Sequence, residues 1–217
     1  MTRLVVFDCD GTLIDGQVSI CAAMEAAFAA HALPLPPRNA IRRAVGLSLP
    51  QAVRILAPQA DAALQLALVE AYKLHFRAAR TSGRLEQDLF DGIVAVLDGL
   101  RDAGWSLAVA TGMSERGLRH CLASHAIADR FVSLQTADHH PSKPHPAMLE
   151  AALFEAAAEP ARAVMIGDTA FDMAMAAACG VRGIGVDWGY HDRAELLAAG
   201  AEWVADTPAQ LREYLLS

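Results

Sequence analysis

No stretch of this chain is apolar for long enough to cross a bilayer: the longest runs, such as Ile93 to Leu97 and Ala174 to Cys179, fall far short of the roughly 20 residues a membrane helix needs. No membrane partner is expected. Cysteine is scarce and scattered: Cys9, Cys21, Cys121 and Cys179 form no C-x-x-C pair, which argues against a disulfide framework and a zinc site and leaves small thiols expected in the interior. Positive charge is also short. A formal net charge of −7 opposes the long-range attraction of phosphate backbones, so nucleic acid is not an expected partner. Lysine occurs only as Lys73 and Lys143. Met1-Thr2-Arg3 runs straight into Leu4-Val5-Val6-Phe7, without the charged segment, apolar core and cleavage site of a signal peptide in succession. A cytoplasmic location is therefore expected.

What remains is an apolar-rich chain of 217 residues, 54% hydrophobic and 20% charged, with alanine frequent. That composition suits close-packed helices alternating with short buried strands. Leu4–Phe7, Ser106–Ala110, Ala163–Ile166, Gly183–Val186 and Trp203–Ala205 are short apolar or β-branched runs ending in small or acidic residues, and read as buried parallel strands. Helical patterns over Asp91–Ala103, Glu115–Ser124, Pro146–Ala157 and Phe171–Cys179 lie between them. This β-α-β-α rhythm predicts an α/β fold with a doubly wound parallel sheet, whose site sits beyond the strand C-termini. From about Gly16 to Gln87 the rhythm breaks into helical pattern only, punctuated by Pro34, Pro36, Pro37, Pro50 and Pro58. The sequence thus predicts an α/β core of residues 1–15 and 88–217 with an inserted all-helical cap of residues 16–87, placed as a lid.

The first strand runs into Asp8-Cys9-Asp10-Gly11-Thr12. Carboxylates two residues apart at a strand end face one side, so Asp8 and Asp10 can converge on one reacting atom. Gly11 allows a sharp turn that brings backbone N–H groups toward an anion. A bare D-x-D also fits solvated turn carboxylates or helix caps; the preceding apolar strand and the following G-T-L favour a site. A later strand delivers Gly167-Asp168-Thr169-Ala170-Phe171-Asp172 to the same edge. Taken alone this also reads as an N-cap with an acidic first turn. Carboxylates so crowded need a cation, and hard oxygen donors favour Mg2+. Lys143, pinned in Ser142-Lys143-Pro144-His145-Pro146 before a helix, suits charge neutralisation, although a surface-loop lysine is the plainer alternative. Thr111-Gly112 ends another strand and offers a hydroxyl and backbone N–H groups.

In order along the chain, D-x-D-G-T, a Thr at a strand end, Lys before Pro and G-D-T-x-x-D resemble the motifs of the haloacid dehalogenase superfamily of phosphotransferases. The helical insertion, Gly189-Tyr190 and Ala199-Gly200-Ala201-Glu202 resemble its phosphoglycolate phosphatase branch. The resemblance implies that Asp8 attacks phosphorus, Asp10 is general acid and base, and Lys143 with Thr111 steadies the phosphoryl oxygens beside Gly11 and Gly112. It further implies Mg2+ held by Asp8, Asp168 and the backbone carbonyl of Asp10, with Asp172 ordering Lys143 or a water. The expected partner is a small phosphorylated metabolite, 2-phosphoglycolate first, with sugar phosphates, nucleoside monophosphates and pyrophosphate open.

Other activities fit less well. A dehalogenase has no leaving alkoxide to protonate, so Asp10 points away from it. A phosphonoacetaldehyde hydrolase needs a cap lysine, and a β-phosphoglucomutase a cap arginine, where Leu49 stands; the mutase stays as the alternative, with Arg42, Arg43 or Arg54 as substitutes. A binding role without catalysis is the reading from another class, opposed by the destabilising crowding of four aspartates. His139, His140 and His145 read as loop histidines, and Gly183-x-Gly185 lacks the rest of a dinucleotide fingerprint. The insertion offers few obvious cations to bury, so a small monoester is expected rather than a large polyanion.

Overall fold

The computed structural model describes residues 2–217. Leu4-Val5-Val6-Phe7 has no side chain to turn toward water, so its strand needs cover on both faces. Strand β1 (Thr2–Phe7) accordingly lies inside a six-stranded sheet. Its even residues Leu4 and Val6 pack with Met148, Leu149 and Met175, while Val5 and Phe7 pack with Ile93, Leu97 and Leu211. Every one of these is wholly buried, and each such side chain removed from water contributes roughly 1.5–3 kcal/mol. The alternation of faces is what makes the fold doubly wound.

After β1 come the two-residue β2 (Ile14–Asp15), then helices α1 (Gln17–Ala30), α2 (Arg38–Arg43), α3 (Leu49–Leu56) and α4 (Ala62–Thr81), then the two-residue β3 (Asp88–Leu89). The rest alternates: α5 (Ile93–Asp102), β4 (Ser106–Thr111), α6 (Glu115–Ser124), β5 (Ser133–Thr136), α7 (Ala147–Glu155), β6 (Ala158–Gly167), α8 (Ala170–Ala178), β7 (Arg182–Val186), α9 (Arg193–Ala198), β8 (Ala201–Ala205) and α10 (Pro208–Leu216). The strand order is β5-β4-β1-β6-β7-β8, with every pairing parallel. No described helix is long and apolar enough to cross a membrane.

Helices α1 to α4 form a layer of their own around Ile20, Met24, Phe28, Ile41, Val53 and Leu68. Asp61 caps α4 by accepting from the Leu64 amide at 2.8 Å, satisfying one of the donors a helix start leaves free. Entry to and exit from this layer run side by side, because β2 pairs antiparallel with β3, Ile14 opposite Leu89 and Asp15 opposite Asp88. The strand readings for β1, β4, β6, β7 and β8 coincide with observed strands, while β5 and the β2/β3 pair are additions. β6 begins five residues before the apolar run at Ala163, and its leading residues are mostly exposed.

Candidate active site

Register puts the predicted residues together. Phe7 is level with Val109 on one side and Ile166 on the other, so the chain segments that follow β1, β4 and β6 leave one sheet edge side by side. Asp8, Thr111 and Asp168 stand there, and Asp172 joins them from the first turn of α8. Asp8, Asp168 and Asp172 are wholly buried and offer carboxylate oxygens that all lie within 4.8 Å of one another. Lys143, also buried, donates to Asp8 Oδ1 at 2.8 Å and to Asp172 Oδ1 at 2.6 Å.

Each carboxylate is held differently. The second oxygen of Asp172 accepts from the Thr169 amide at 3.1 Å and its hydroxyl at 2.7 Å, so three of the carboxylate's acceptor positions are used. The helix-cap reading of G-D-T-x-x-D holds, and the capping Asp172 also lies in the carboxylate cluster. Asp168 accepts from the Thr12 hydroxyl at 2.9 Å and the Tyr190 amide at 2.9 Å. Asp8 Oδ1 also accepts the Cys9 amide at 2.7 Å, but Asp8 Oδ2 is buried with no partner, as is Asp10 Oδ1. Among the described residues no backbone N–H reaches the Asp10 carbonyl. Gly11 makes the packing feasible: its φ is +86°, and a Cβ there would lie 2.2 Å from Asp168 Oδ2.

The electrostatics follow from burial. Desolvation raises the Asp8 pKa to about 6, Lys143 opposing and Asp172 adding to it. Burial and then the neighbouring Asp8 raise Asp10 to about 7. Burial with Asp8 and Asp172 pushes Asp168 well above the usual carboxylate range. For Lys143 burial acts downward, but Asp172 and Asp8 outweigh it and hold the ammonium charged. Three buried carboxylates share one ammonium. A hard divalent cation fits this deficit: Asp8 and Asp168 present carboxylates, the Asp10 carbonyl accepts no described backbone N–H, and Asp172, three of whose acceptor positions are already used, lies beside them.

Above the carboxylates a cavity of about 370 Å3 opens between the sheet edge and the helical layer, reaching Asp10, Thr111 and Gly112. The Thr111 hydroxyl accepts from the Met113 amide at 3.3 Å. A Cβ on Gly112 would lie 2.4 Å from the Leu47 carbonyl, so the helical layer sits directly on the strand end. Other contacts fasten it there: the Ser48 amide donates to Ser142 Oγ at 2.8 Å, Arg43 pairs with Glu195, and His191 Nε2 donates to the Arg43 carbonyl at 3.1 Å while its Nδ1 accepts from the Ala170 amide.

Sequence reasoning missed several residues at this site. Thr169 and the Tyr190 amide orient the carboxylates, and Trp188 donates to the Thr12 carbonyl at 3.1 Å. None of the cap's cations is buried among the described residues, yet Lys73, Arg77 and Arg80 of α4 line the cavity and Arg116 of α6 joins them. Of the arginines offered as mutase substitutes, Arg43 is committed to Glu195, Arg42 to Gln17 and Arg54 to Gln51. His139, His140 and His145 bind Glu115, Gln135 and the Ala147 amide respectively, and share no metal-binding group among the described residues.

Residues 5–186 match the family model described as haloacid dehalogenase-like hydrolase. A protein of Dickeya dadantii named "Probable phosphatase IndB" is 35% identical over 210 residues, covering 95% of this chain and 90% of that protein. A "Phosphoglycolate phosphatase" of Vibrio vulnificus is 28% identical over 223 residues, covering 99% and 96%. The crystal structure of a hydrolase from Pseudomonas syringae superposes with a TM-score of 0.87 at 26% identity, covering 99% of this chain and 98% of that one.

Proposed function

Because this chain belongs to the haloacid dehalogenase-like hydrolase family, we propose that its carboxylate cluster hydrolyses a small phosphate monoester, with Mg2+ bound, through an aspartyl-phosphate on Asp8. The enzyme is a phosphoric monoester hydrolase; the metal, the intermediate, the residue roles and the ester are the parts proposed. The observation that carries them is the buried, unpartnered Asp8 Oδ2 beside a carboxyl group, Asp10, whose pKa is raised to about 7.

Cys9 and Lys143 occupy one oxygen of Asp8 and leave the other for phosphorus. Oδ2 forms the new O–P bond as the ester O–P bond breaks, and protonated Asp10 gives its proton to the departing alkoxide. Asp10, now ionised, takes a proton from water as that water attacks the phosphoryl-Asp8 and frees phosphate and the Asp8 carboxylate. Lys143 and the Thr111 hydroxyl steady the phosphoryl oxygens, where a loose transition state spreads its negative charge; the amides of Cys9, Gly11 and Thr12 are spent within the loop. Asp8, Asp168 and the Asp10 carbonyl would hold Mg2+, which when bound supplies charge neutralisation for phosphoryl transfer. The cap, residues 16–87, excludes water during the first step and admits it for the second.

The test is phosphate release from a panel of monoesters that includes 2-phosphoglycolate, with Mg2+ and with chelator, beside Asp8→Asn. Turnover that needs Mg2+ and is lost in the variant is the expected result. Turnover that survives Asp8→Asn removes the aspartyl-phosphate from the mechanism.

A further inference from the structure

We infer that the substrate is larger than a two-carbon acid: a phosphate monoester with a flat or apolar body and a second anionic group at its far end. The inference rests on the phosphatase reading and names the ester that reading leaves open. Volume is the first ground. A cavity of about 370 Å3 lies within the roughly 300–1,000 Å3 of pockets that enclose drug-sized ligands, more than a two-carbon ester fills.

The second ground is the lining. Tyr72 and Phe76 stack with ring centroids 5.7 Å apart and planes 19° from parallel, and with Met24 and Leu47 they give the cavity an apolar wall. A phosphorylated acid of two carbons has nothing to set against it. The third is charge. Lys73, Arg77, Arg80 and Arg116 line the cavity against only Asp10 and Asp138, in a chain whose net charge is −7. Lys73 pairs with Glu70 at 2.8 Å. Arg77, Arg80 and Arg116 make no hydrogen bond or ion pair among the described residues, whereas Arg38, Arg43, Arg119, Arg130, Arg182 and Arg193 are each bound to a carboxylate.

Their placement suits one anion. Arg77 and Arg80 lie a turn apart on α4, next to the row Tyr72, Phe76 and Arg80 at four-residue spacing. Arg116 comes from the opposite wall, in the first turn of α6. An anion between them is gripped by the cap and the core together, so binding favours the closed state in which Asp10 is shielded. A carboxylate and a second phosphate both satisfy guanidinium forks.

The experiment compares kcat/KM for phenyl phosphate, para-carboxyphenyl phosphate, para-phenylene bisphosphate and 2-phosphoglycolate, at low and high salt, for the wild type and for Arg77→Gln, Arg80→Gln and Arg116→Gln. One or both para-substituted anions should exceed phenyl phosphate and 2-phosphoglycolate by about tenfold or more, with the advantage shrinking as salt rises. In the arginine variants the ratio of anionic to unsubstituted ester should fall toward one. The carboxylate and bisphosphate arms tell the two anions apart. A preference for 2-phosphoglycolate, or an anion preference that neither salt nor any arginine variant reduces, overturns the inference and leaves the phosphatase intact. Release from none of the four esters sinks the phosphatase reading itself.

Discussion

Lys143→Met removes the only cation that the described residues place inside the carboxylate cluster. Deleting one partner of a buried ion pair costs about 3–5 kcal/mol, because the other charge stays buried. For a chain of 217 residues, each kcal/mol shifts Tm by roughly 2–4 °C, so the metal-free variant should melt roughly 6–20 °C below the wild type. The deficit must also depend on pH. Asp8 and Asp10 titrate in the folded protein near about 6 and about 7, against roughly 3.9 when unfolded. Folded-state pKa values raised in this way make stability fall as pH rises from the unfolded value through the folded one. Lys143 lowers both groups, so its loss lifts their pKa values further and carries the fall to higher pH. Each pH unit of that displacement is worth about 1.4 kcal/mol per proton, enough to make the deficit larger at pH 8 than at pH 5.5 by roughly 3–6 °C. Circular dichroism melts with chelator at both pH values measure it, and Lys143→Met/Asp172→Asn should recover part of the loss. Equal deficits at the two pH values would refute the reasoning, since they would mean that the cluster does not titrate with the fold.

Four further outcomes follow from the same geometry. Asp8→Asn keeps the isosteric side chain near Cys9 and Lys143 and should fold, yet lose at least about 10^3-fold in phosphate release, read by a phosphate assay. Mg2+ competes with protons for the cluster, so the Tm rise it produces should be larger at pH 8 than at pH 5.5; a pH-independent rise points to binding elsewhere. As general acid Asp10 must be protonated, so kcat/KM should decline above about pH 7, and a profile flat from pH 6 to 9 would remove it from that role. Gly112→Ala drives a methyl against the Leu47 carbonyl, which a Cβ would approach to 2.4 Å; kcat and KM should both worsen, with a stability loss of about 1–3 kcal/mol by chemical denaturation.

Much of this was legible in the chain, and the exceptions have physical causes. β1 and β6 announce themselves because both faces of a central parallel strand must be apolar. β5 is silent because its inward positions are Ser133, Gln135 and Thr136, buried though polar, with Gln135 bonded to Ser133 at 2.8 Å. Asp8, Asp10, Asp168 and Lys143 are readable as a site because crowded acids at strand ends have few structural excuses. The supports are not, since the Tyr190 amide carries no side-chain signature and reaches Asp168 only through the bend after β7. Arg77 and Arg80 look like solvated helix charges in one dimension. Only the packing of α4 over the sheet edge turns their face into a wall of the cavity. Arg43 and Glu195, separated by 152 residues, likewise meet through folding alone.

The strand order carries a consequence for how the chain is made. The strand that leads into Asp8 lies between β4 and β6, so a ribosome delivers it first and its neighbours about a hundred and a hundred and sixty residues later. During that wait Leu4-Val5-Val6-Phe7 is an apolar segment without its sheet neighbours, the kind of surface that chaperones shield. The helices of residues 17–81 have local partners and their own apolar centre, and emerge before any strand that can pair with β1. The helical layer is thus ready to fold before the sheet edge it covers, and the carboxylate cluster is completed only when Asp168 and Asp172 leave the ribosome.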